Sequence, residues 1–313
     1  MSSNLEQKKK TVEEIKEKFR KTNLQINFSE DRTAALILQK IMKENQNQKK
    51  LSKISKQIQN QEVIIFGAGP SLEKHLKKFK GEFFTVNMDV TEYSEMKMLA
   101  EKTVDEYNKV DIFFNNAGVT VPGPVWELPL NDIDYIMKSN LYSSVYGLKV
   151  FVPLMSSQDS KGHIVNTASI AGLISAPGMP TYHMTKFGNV GLTETVNYQL
   201  QAADSNIKMS LFCPGYIQTD LHNCDERRPE KFAIDPEDPY YQSETYKKGL
   251  ERAEQVITTG MPIDSIGMQV FQAIEDEEFY ILTHPQYLPV VANRMKNIIN
   301  GSNPDIEFFK NNS

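Results

Sequence analysis

The chain has 313 residues, of which 40% are hydrophobic, and this is enough to bury a sizeable core. Its formal net charge of -5 argues against a protein that binds nucleic acid in bulk. The two cysteines, Cys213 and Cys224, are too few for a disulfide framework or a cysteine-based metal cluster, so no metal site is predicted.

The first 60 residues are basic and are predicted to form charged helices. They hold 14 Lys or Arg and 7 Asp or Glu, so the net charge is +7 in this segment and -12 in the remainder. Apolar residues at helical spacing between Ala34 and Met42 favour helices over 5–20 and 30–59. Such a basic arm either contacts acidic partners or forms a solvated helical face. Neither a signal peptide nor a membrane-spanning run of ~18 apolar residues is recognisable, so we expect a cytoplasmic protein with neither membrane nor nucleic-acid partners.

From residue 61 onward, short β-branched and aromatic runs alternate with longer helical stretches. Strands are predicted at 63–66, 83–87, 111–114, 163–166, 209–212 and 279–282. Helices are predicted at about 70–80, 93–108, 131–156, 179–203, 262–276 and 287–299, with a long loop over 213–242. The alternation indicates an α/β fold, a Rossmann-like doubly wound parallel sheet that binds its ligands beyond the carboxyl ends of the strands. We therefore predict one Rossmann-like domain over 61–313 and a helical N-terminal extension over 1–60.

A tyrosine and a lysine form the most informative pair in the sequence. Tyr182 and Lys186 are four residues apart in a predicted helix and therefore share one face of it. A tyrosine hydroxyl titrates near pH ~10 in water, but a neighbouring ammonium group favours the phenolate and lowers that pKa. General acid–base catalysis works best when the pKa of the group lies near the operating pH. The pair is therefore predicted to transfer protons.

The surrounding motifs make this pair specific. Ser169 follows a β run 13 residues before Tyr182, and Asn140 lies in a long predicted helix. Two further β runs end in Asn115–Gly118 and in Pro214–Thr219. With these motifs in this order and spacing, the chain from about residue 81 to residue 304 resembles the short-chain dehydrogenase/reductase family.

The resemblance implies an oxidoreductase that interconverts an alcohol and a ketone or aldehyde by hydride transfer. Tyr182 would act as the general acid/base, and Lys186 would lower the pKa of that tyrosine while holding the nicotinamide ribose. Ser169 would hydrogen-bond the substrate oxygen, and Asn140 would hold a water molecule that links Lys186 to solvent.

The same resemblance implies NAD or NADP as the cofactor. Besides Tyr182 and Lys186, it assigns cofactor contacts to Asp89, Val90, Asn116, Ala117, Gly118, Pro214, Gly215, Ile217 and Thr219. Family members often pair through long helices, so a homodimer or homotetramer through 131–156 and 179–203 is expected. The substrate is expected to be a small alcohol or carbonyl compound, and Trp126, Met179 and Tyr216 favour an apolar one.

The predicted phosphate-binding turn departs from the family pattern. Gly67 and Gly69 can make a tight turn, and Ser71 can cap the next helix and offer its hydroxyl to a phosphate. Leu72 stands where the pattern G-x-G-x-x-G has its third glycine. The motif is therefore incomplete. Gly67, Gly69 and Ser71 are still predicted to contact the cofactor pyrophosphate.

The segment after this turn is short. Only 22 residues separate Gly67 from Asp89, so one strand–helix unit of the family is missing and six strands are expected. If 83–87 lies beside the first strand, Asn87 or Asp89 is at the usual distance of about 20 residues for a ribose-binding residue. If 83–87 keeps its place in the family, Asp89 contacts adenine and the sheet has a gap.

A second resemblance concerns the N-terminal part of the chain. Residues from about 27 to 73, including Ser29–Ala35 and Gly67–Glu73, resemble the start of the archaeal 6-hydroxymethylpterin diphosphokinase family. Three hypotheses therefore stay open. In the first, the chain is an active NAD(P)-dependent oxidoreductase. In the second, it is a catalytically impaired relative, a fusion or chimera whose dinucleotide binding is defective. In the third, it is a nucleotide-dependent enzyme related to the pterin diphosphokinases.

Overall fold

A single parallel sheet organises the part of the chain that the computed structural model describes, residues 63–65 and 85–307. The strands are β1 (Val63–Ile65), β2 (Ile112–Asn115), β3 (Gly162–Thr167), β4 (Ile207–Phe212) and β5 (Tyr280–Ile281). They are all parallel and lie in the order β1-β2-β3-β4-β5. The predicted Rossmann-like α/β fold is therefore confirmed.

Helices connect the strands, as parallel pairing requires. They are α1 (Tyr93–Tyr107), α2 (Leu130–Ile136), a π-helix (Met137–Tyr142), α3 (Ser143–Ser156), α4 (Pro180–Ala202), α5 (Pro239–Gln242), α6 (Glu244–Thr258), α7 (Gly267–Glu275) and α8 (Leu288–Asn300). Short 3-10 turns cover Ile170–Gly172, Leu221–Arg227, Glu230–Phe232, Ile263–Ser265 and Pro285–Tyr287. Over the described ranges, no helix combines the length and the apolar character needed to cross a bilayer.

The sheet is covered on both faces. Successive side chains of a strand point to opposite faces, so Phe113 and Phe114 of β2 lie on different faces of the sheet. The Phe113 ring stacks on Phe151 of α3 with 4.1 Å between centroids, in a core cluster that also includes Leu99 of α1 and Leu200 of α4. On the other face, the Phe114 ring meets α7 through Phe271, at 6.1 Å between centroids. Burial on both faces explains why the strands appear in the sequence as continuous apolar runs.

The predicted strand at 83–87 was wrong over its described residues. Residues 85–87 belong to no strand, and β1 pairs directly with β2, Val63 opposite Ile112, so no strand lies between them. Val86 is buried at 6% exposure in the cluster beside α1, so the apolar pattern there reflects burial rather than pairing. In addition, helix α6 was not predicted.

Helix α6 carries ordinary helix signals in its sequence. Ser243 caps it, since its side chain accepts a hydrogen bond from the Tyr246 amide at 3.1 Å. Tyr246, Ala253 and Ile257 follow at helical spacing and are partly or fully buried. The proline-rich stretch before the cap favoured the prediction of a long loop, and the 3-10 turns and α5 occupy part of that loop.

His163 of β3 is expected to make the free energy of unfolding sensitive to acid. Burial, aided by the charge of Lys208, lowers the pKa of His163 to about 4, and its Nε2 lies 2.8 Å from Ser210 Oγ. Unfolded histidine titrates near ~6.5, so on acidification the unfolded state takes up the proton first. The free energy of unfolding should therefore be highest above pH ~6.5 and should fall by on the order of 2 kcal/mol by pH ~5.

Urea unfolding measured between pH 7 and pH 5 checks this expectation. His163→Gln keeps an amide donor for Ser210 and removes the titrating ring, so its unfolding free energy should decline less over that range. An equally steep decline in this variant would assign the acid sensitivity to other groups.

Candidate active site

Three loops meet at the carboxyl edge of the sheet. Asn116–Gly118 follows β2, Ala168–Ser169 follows β3 and Cys213–Gly215 follows β4. Backbone hydrogen bonds tie the last two loops together, from the Ala168 amide to the Phe212 carbonyl and from the Ile170 amide to the Pro214 carbonyl, both at 2.8 Å. The loops border a cleft with a volume of about 610 Å³.

Helix α4 brings the predicted tyrosine and lysine to this cleft. Tyr182 and Lys186 both line the cleft. Tyr182 is half-buried, and Lys186 is only 3% exposed. The Lys186 Nζ lies 5.5 Å from the centroid of the Tyr182 ring and donates a hydrogen bond to the Thr167 carbonyl at 3.2 Å. The ammonium group is thus held beside the Tyr182 ring.

Asn140 lies beneath the site in the π-helix and is fully buried. Its side-chain amide clamps the backbone of Val119, accepting from the amide at 2.7 Å and donating to the carbonyl at 2.9 Å. Its own carbonyl accepts hydrogen bonds from the side chains of Asn189 and Ser144 at 2.9 and 3.1 Å. The structure therefore gives Asn140 a role in holding the loop after β2, and its predicted contact with a water molecule stays a prediction.

Gly118 brings that loop close to the lysine. A Cβ atom added at Gly118 would lie 3.5 Å from Lys186 Nζ and 3.6 Å from Asn140 Oδ1. Even a methyl group at this position would therefore be at van der Waals distance from both side chains.

Ser169 caps the 3-10 turn that follows β3. Its Oγ accepts a hydrogen bond from the Ala171 amide at 3.1 Å and donates one to the Pro214 carbonyl at 3.3 Å. Ser169 also lines the cleft. Because a hydroxyl rotates about its C–O bond, the same proton can turn to the oxygen of a ligand.

Two histidines that sequence reasoning did not select hold the walls of the cleft. The His183 Nε2 accepts from the Ala176 amide at 3.2 Å, so its Nδ1 carries the proton and donates to the carbonyls of Ala171 and Ile174, both at 2.9 Å. This residue fixes the loop opposite Tyr182. Its only signal in the sequence was its position next to that tyrosine.

His284 does the same for the turn after β4. Its Nδ1 accepts from the Gly215 amide at 3.0 Å and its Nε2 donates to the Tyr216 carbonyl at 3.1 Å. Burial lowers the pKa of His284, so the ring stays neutral and can accept and donate at once. A Cβ atom at Gly215 would lie 2.8 Å from the His284 ring, so this close contact requires glycine.

The structure divides the predicted cofactor residues between two cavities. The large cleft is lined by Asn116, Gly118, Tyr182, Lys186, Pro214, Gly215, Ile217 and Thr219. A second cavity of about 350 Å³ is lined by Asp89, Val90, Ala117 and again Gly118. Gly67, Gly69 and Ser71 lie outside the described residues. Gly118 lines both cavities, so the described residues that the resemblance assigns to the cofactor lie along two adjoining cavities.

Asp89 is engaged by other side chains of the protein. It accepts a hydrogen bond from Thr91 Oγ1 at 2.7 Å and lies 2.8 Å from Lys231 Nζ. Burial raises the pKa of Asp89, but the hydrogen bonds from Lys231 and Thr91 outweigh it, and the pKa is lowered overall. The carboxylate therefore stays charged, at the edge of the smaller cavity.

Of the three residues that favoured an apolar substrate, two line the large cleft and one does not. Met179 and Tyr216 line the large cleft, as predicted. Trp126 does not line it and is 82% exposed. The unpredicted helix α6 contributes a whole wall instead.

Comparisons with known proteins agree with this geometry. A family model described as short chain dehydrogenase matches residues 59–229. The chain is 45% identical over 243 residues to the CLA biosynthesis dehydrogenase/reductase of Lactiplantibacillus plantarum, covering 77% of this chain and 85% of that protein. It is 31% identical over 161 residues to the 3-oxoacyl-[acyl-carrier-protein] reductase FabG of Thermotoga maritima, covering 51% of this chain and 63% of that protein.

A solved structure shares the Rossmann-like fold. The crystal structure of a short chain dehydrogenase/reductase from Burkholderia phymatum in complex with NAD matches with a TM-score of 0.78 at 27% identity, covering 91% of this chain and 97% of that one. The resemblance of residues 27–73 to the pterin diphosphokinases falls, apart from β1, outside the described residues and stays a prediction.

Proposed function

Because this chain belongs to the short chain dehydrogenase family, we propose that it interconverts an alcohol and a ketone or aldehyde with NAD or NADP. One observation carries the proposal: Tyr182, Lys186 and Ser169 line the same cleft at the carboxyl edge of a Rossmann-like sheet. The relatives named as reductases and the NAD complex of the solved structure support the same chemistry.

The proposed mechanism assigns one role to each side chain. A bound nicotinamide dinucleotide supplies the hydride in reduction and accepts it in oxidation. Tyr182 donates its phenolic proton to the substrate oxygen in reduction and takes the proton back in oxidation. Ser169 donates a hydrogen bond to the same oxygen and stabilises the charge that develops on it. Lys186 keeps the phenol acidic through its charge.

We propose that 61–313 form the catalytic domain and 1–60 an extension of it. We propose a homodimer or homotetramer through the helical segment 131–156 and α4, because Tyr142 of the π-helix and Tyr198 of α4 are 47% and 68% exposed. Phe151 of α3 and Val190 of α4 are buried inside the chain and therefore offer no surface to such an interface.

Cofactor binding separates the active enzyme from the impaired relative. A ligand at 100 times its Kd stabilises the folded protein by ~2.7 kcal/mol, which raises the Tm by roughly 5–10 °C for a domain of this size. We therefore expect millimolar NAD or NADP to raise the Tm by several degrees. ADP-ribose, which lacks the nicotinamide, should raise it less, because the described cleft would then be only partly filled. No shift with either dinucleotide would support the impaired relative.

A further inference from the structure

The two cavities at the carboxyl edge of the sheet share two lining residues, Gly118 and Arg227. Gly118 offers only backbone atoms there, whereas Arg227 brings a guanidinium group. A Cβ atom added at Gly118 would lie 3.5 Å from Lys186 Nζ, so this junction lies next to the lysine. A ligand that occupies both cavities therefore crosses the junction that Arg227 lines.

Arg227 is the positive charge in the lining of the smaller cavity. The other charged residues that line this cavity are Asp89 and Glu95, and both are acidic. Lys231 comes close through its contact with Asp89, but it pairs with both Asp89 and Glu92. An anion that enters the smaller cavity therefore has the guanidinium of Arg227 as its cationic partner in the lining.

Asp220 holds this guanidinium and leaves part of it available. The Arg227 Nη1 donates to Asp220 Oδ2 at 2.9 Å, and Nη2 donates to the Asp220 carbonyl at 3.0 Å. Arg227 makes no other hydrogen bond within the part of the chain that the structure describes. Its remaining N–H groups can therefore donate to a ligand, and the planar fork of a guanidinium matches the oxygens of a phosphate group.

The segment that carries Arg227 is fastened on both sides of the junction. The next residue, Arg228, is buried and pairs with Asp132 of α2. Further along, Lys231 lies 2.8 Å from Asp89 at the edge of the smaller cavity. The position of Arg227 is thus set by the folded chain itself, which lowers the cost of ordering this side chain when a ligand binds.

We propose that Arg227 binds the pyrophosphate of the nicotinamide dinucleotide. This rests on the proposed function and adds a cofactor-binding residue to it. The resemblance places the adenine at Asp89 and the nicotinamide ribose at Lys186, and the pyrophosphate joins these two halves of the cofactor. The glycine motif that cradles this group in the family lacks its third glycine here, at Leu72, so a second contact to the phosphates is of use.

Binding of ADP-ribose and of adenosine tests this role without any turnover. Arg227→Gln should raise the Kd of ADP-ribose and of NAD on the order of 10-fold, because hydrogen bonds to a charged group are lost. The Kd of adenosine, which has no phosphate, should stay within about twofold. Calorimetric titration measures the first two ligands, and ligand-detected NMR measures the weaker adenosine.

Two further variants separate the phosphate contact from a general effect. Arg227→Lys keeps the charge and loses the fork, so its Kd for ADP-ribose should lie between those of the wild type and Arg227→Gln. It also keeps the test available if Arg227→Gln does not fold. Lys247→Gln, which removes an exposed charge outside both cavities, is the matched control and should change neither Kd.

The contrary outcomes are distinct from one another. Equal affinity of the wild type and Arg227→Gln for ADP-ribose overturns the role of Arg227 and leaves the proposed function standing. An equal loss of adenosine affinity also overturns it, because Arg227 would then only hold the loop in place. A loss confined to NADP would assign Arg227 to the 2′-phosphate instead of the pyrophosphate. A wild type that binds neither NAD, NADP nor ADP-ribose would remove the proposed function together with this inference.

Discussion

Replacing Tyr182 with phenylalanine is expected to lower kcat by about 10²- to 10⁴-fold and to leave the fold intact. The change removes one hydroxyl from a half-buried side chain on the wall of the cleft. The ring that lies beside the Lys186 ammonium remains in place. What is lost is the proton that the substrate oxygen needs, while Ser169 keeps the hydrogen bond that it donates.

The measurement pairs turnover with a binding readout. The Tm of Tyr182→Phe should still rise with the dinucleotide that the wild type binds, because Lys186 and the loops after β2 and β4 are unchanged. Tyr198→Phe is the matched control, since it removes a hydroxyl from the same helix at a position 68% exposed. If Tyr182→Phe turned over like the wild type, the assignment of Tyr182 as acid/base would be lost.

The residues at the strand ends could be predicted because parallel strands impose their own order. Ser169, Gly118 and Pro214 each follow an apolar run, and the carboxyl ends of such runs meet at one edge of a sheet. Tyr182 and Lys186 could be paired because their spacing needs only one helix to form. Both inferences need only short apolar runs, the four-residue spacing of a helix and the rule that the carboxyl ends of parallel strands share one edge.

What the sequence did not predict depends on contacts between distant segments. His284 reaches Gly215 across 69 positions of the chain, and neither residue has a local pattern that indicates the other. Helix α6 was missed although its cap and apolar spacing are ordinary. Val86 was assigned to a strand because an apolar alternation does not reveal whether a residue pairs or only packs.

Breaking a buried ion pair between two such distant segments is expected to destabilise the fold strongly. Asp132 of α2 is fully buried and pairs with Arg228, whose side chain is 4% exposed. Arg228 also binds Asp225 at 2.7 Å and stacks over the Tyr135 ring, 4.6 Å from its centroid. Tyr241 donates its hydroxyl to Asp132 at 2.7 Å. Together these contacts fasten the segment between β4 and α6 to α2.

Asp132→Ala should lower the free energy of unfolding by about 3–5 kcal/mol, because it leaves the Arg228 charge buried with one carboxylate fewer. Burial lowers the pKa of Arg228, but Asp132 and Asp225 outweigh that effect and raise it. The guanidinium therefore stays charged. Chemical denaturation of the variant measures the loss. Asp134→Ala, at an exposed position of the same helix, should change the unfolding free energy by less than about 0.5 kcal/mol.

The double variant Asp132→Ala/Arg228→Met shows whether the charge itself is the cause. Asp132 Oδ2 and Arg228 Nη2 are buried and have no hydrogen-bond partner among the described residues, so the network is only partly satisfied. Replacing both ions with apolar groups should therefore recover most of the stability that Asp132→Ala loses. Because the fastened segment borders the cleft, Asp132→Ala should also raise KM more than it lowers kcat. A double variant as unstable as Asp132→Ala would mean that packing around Asp132, rather than its charge, holds this segment in place.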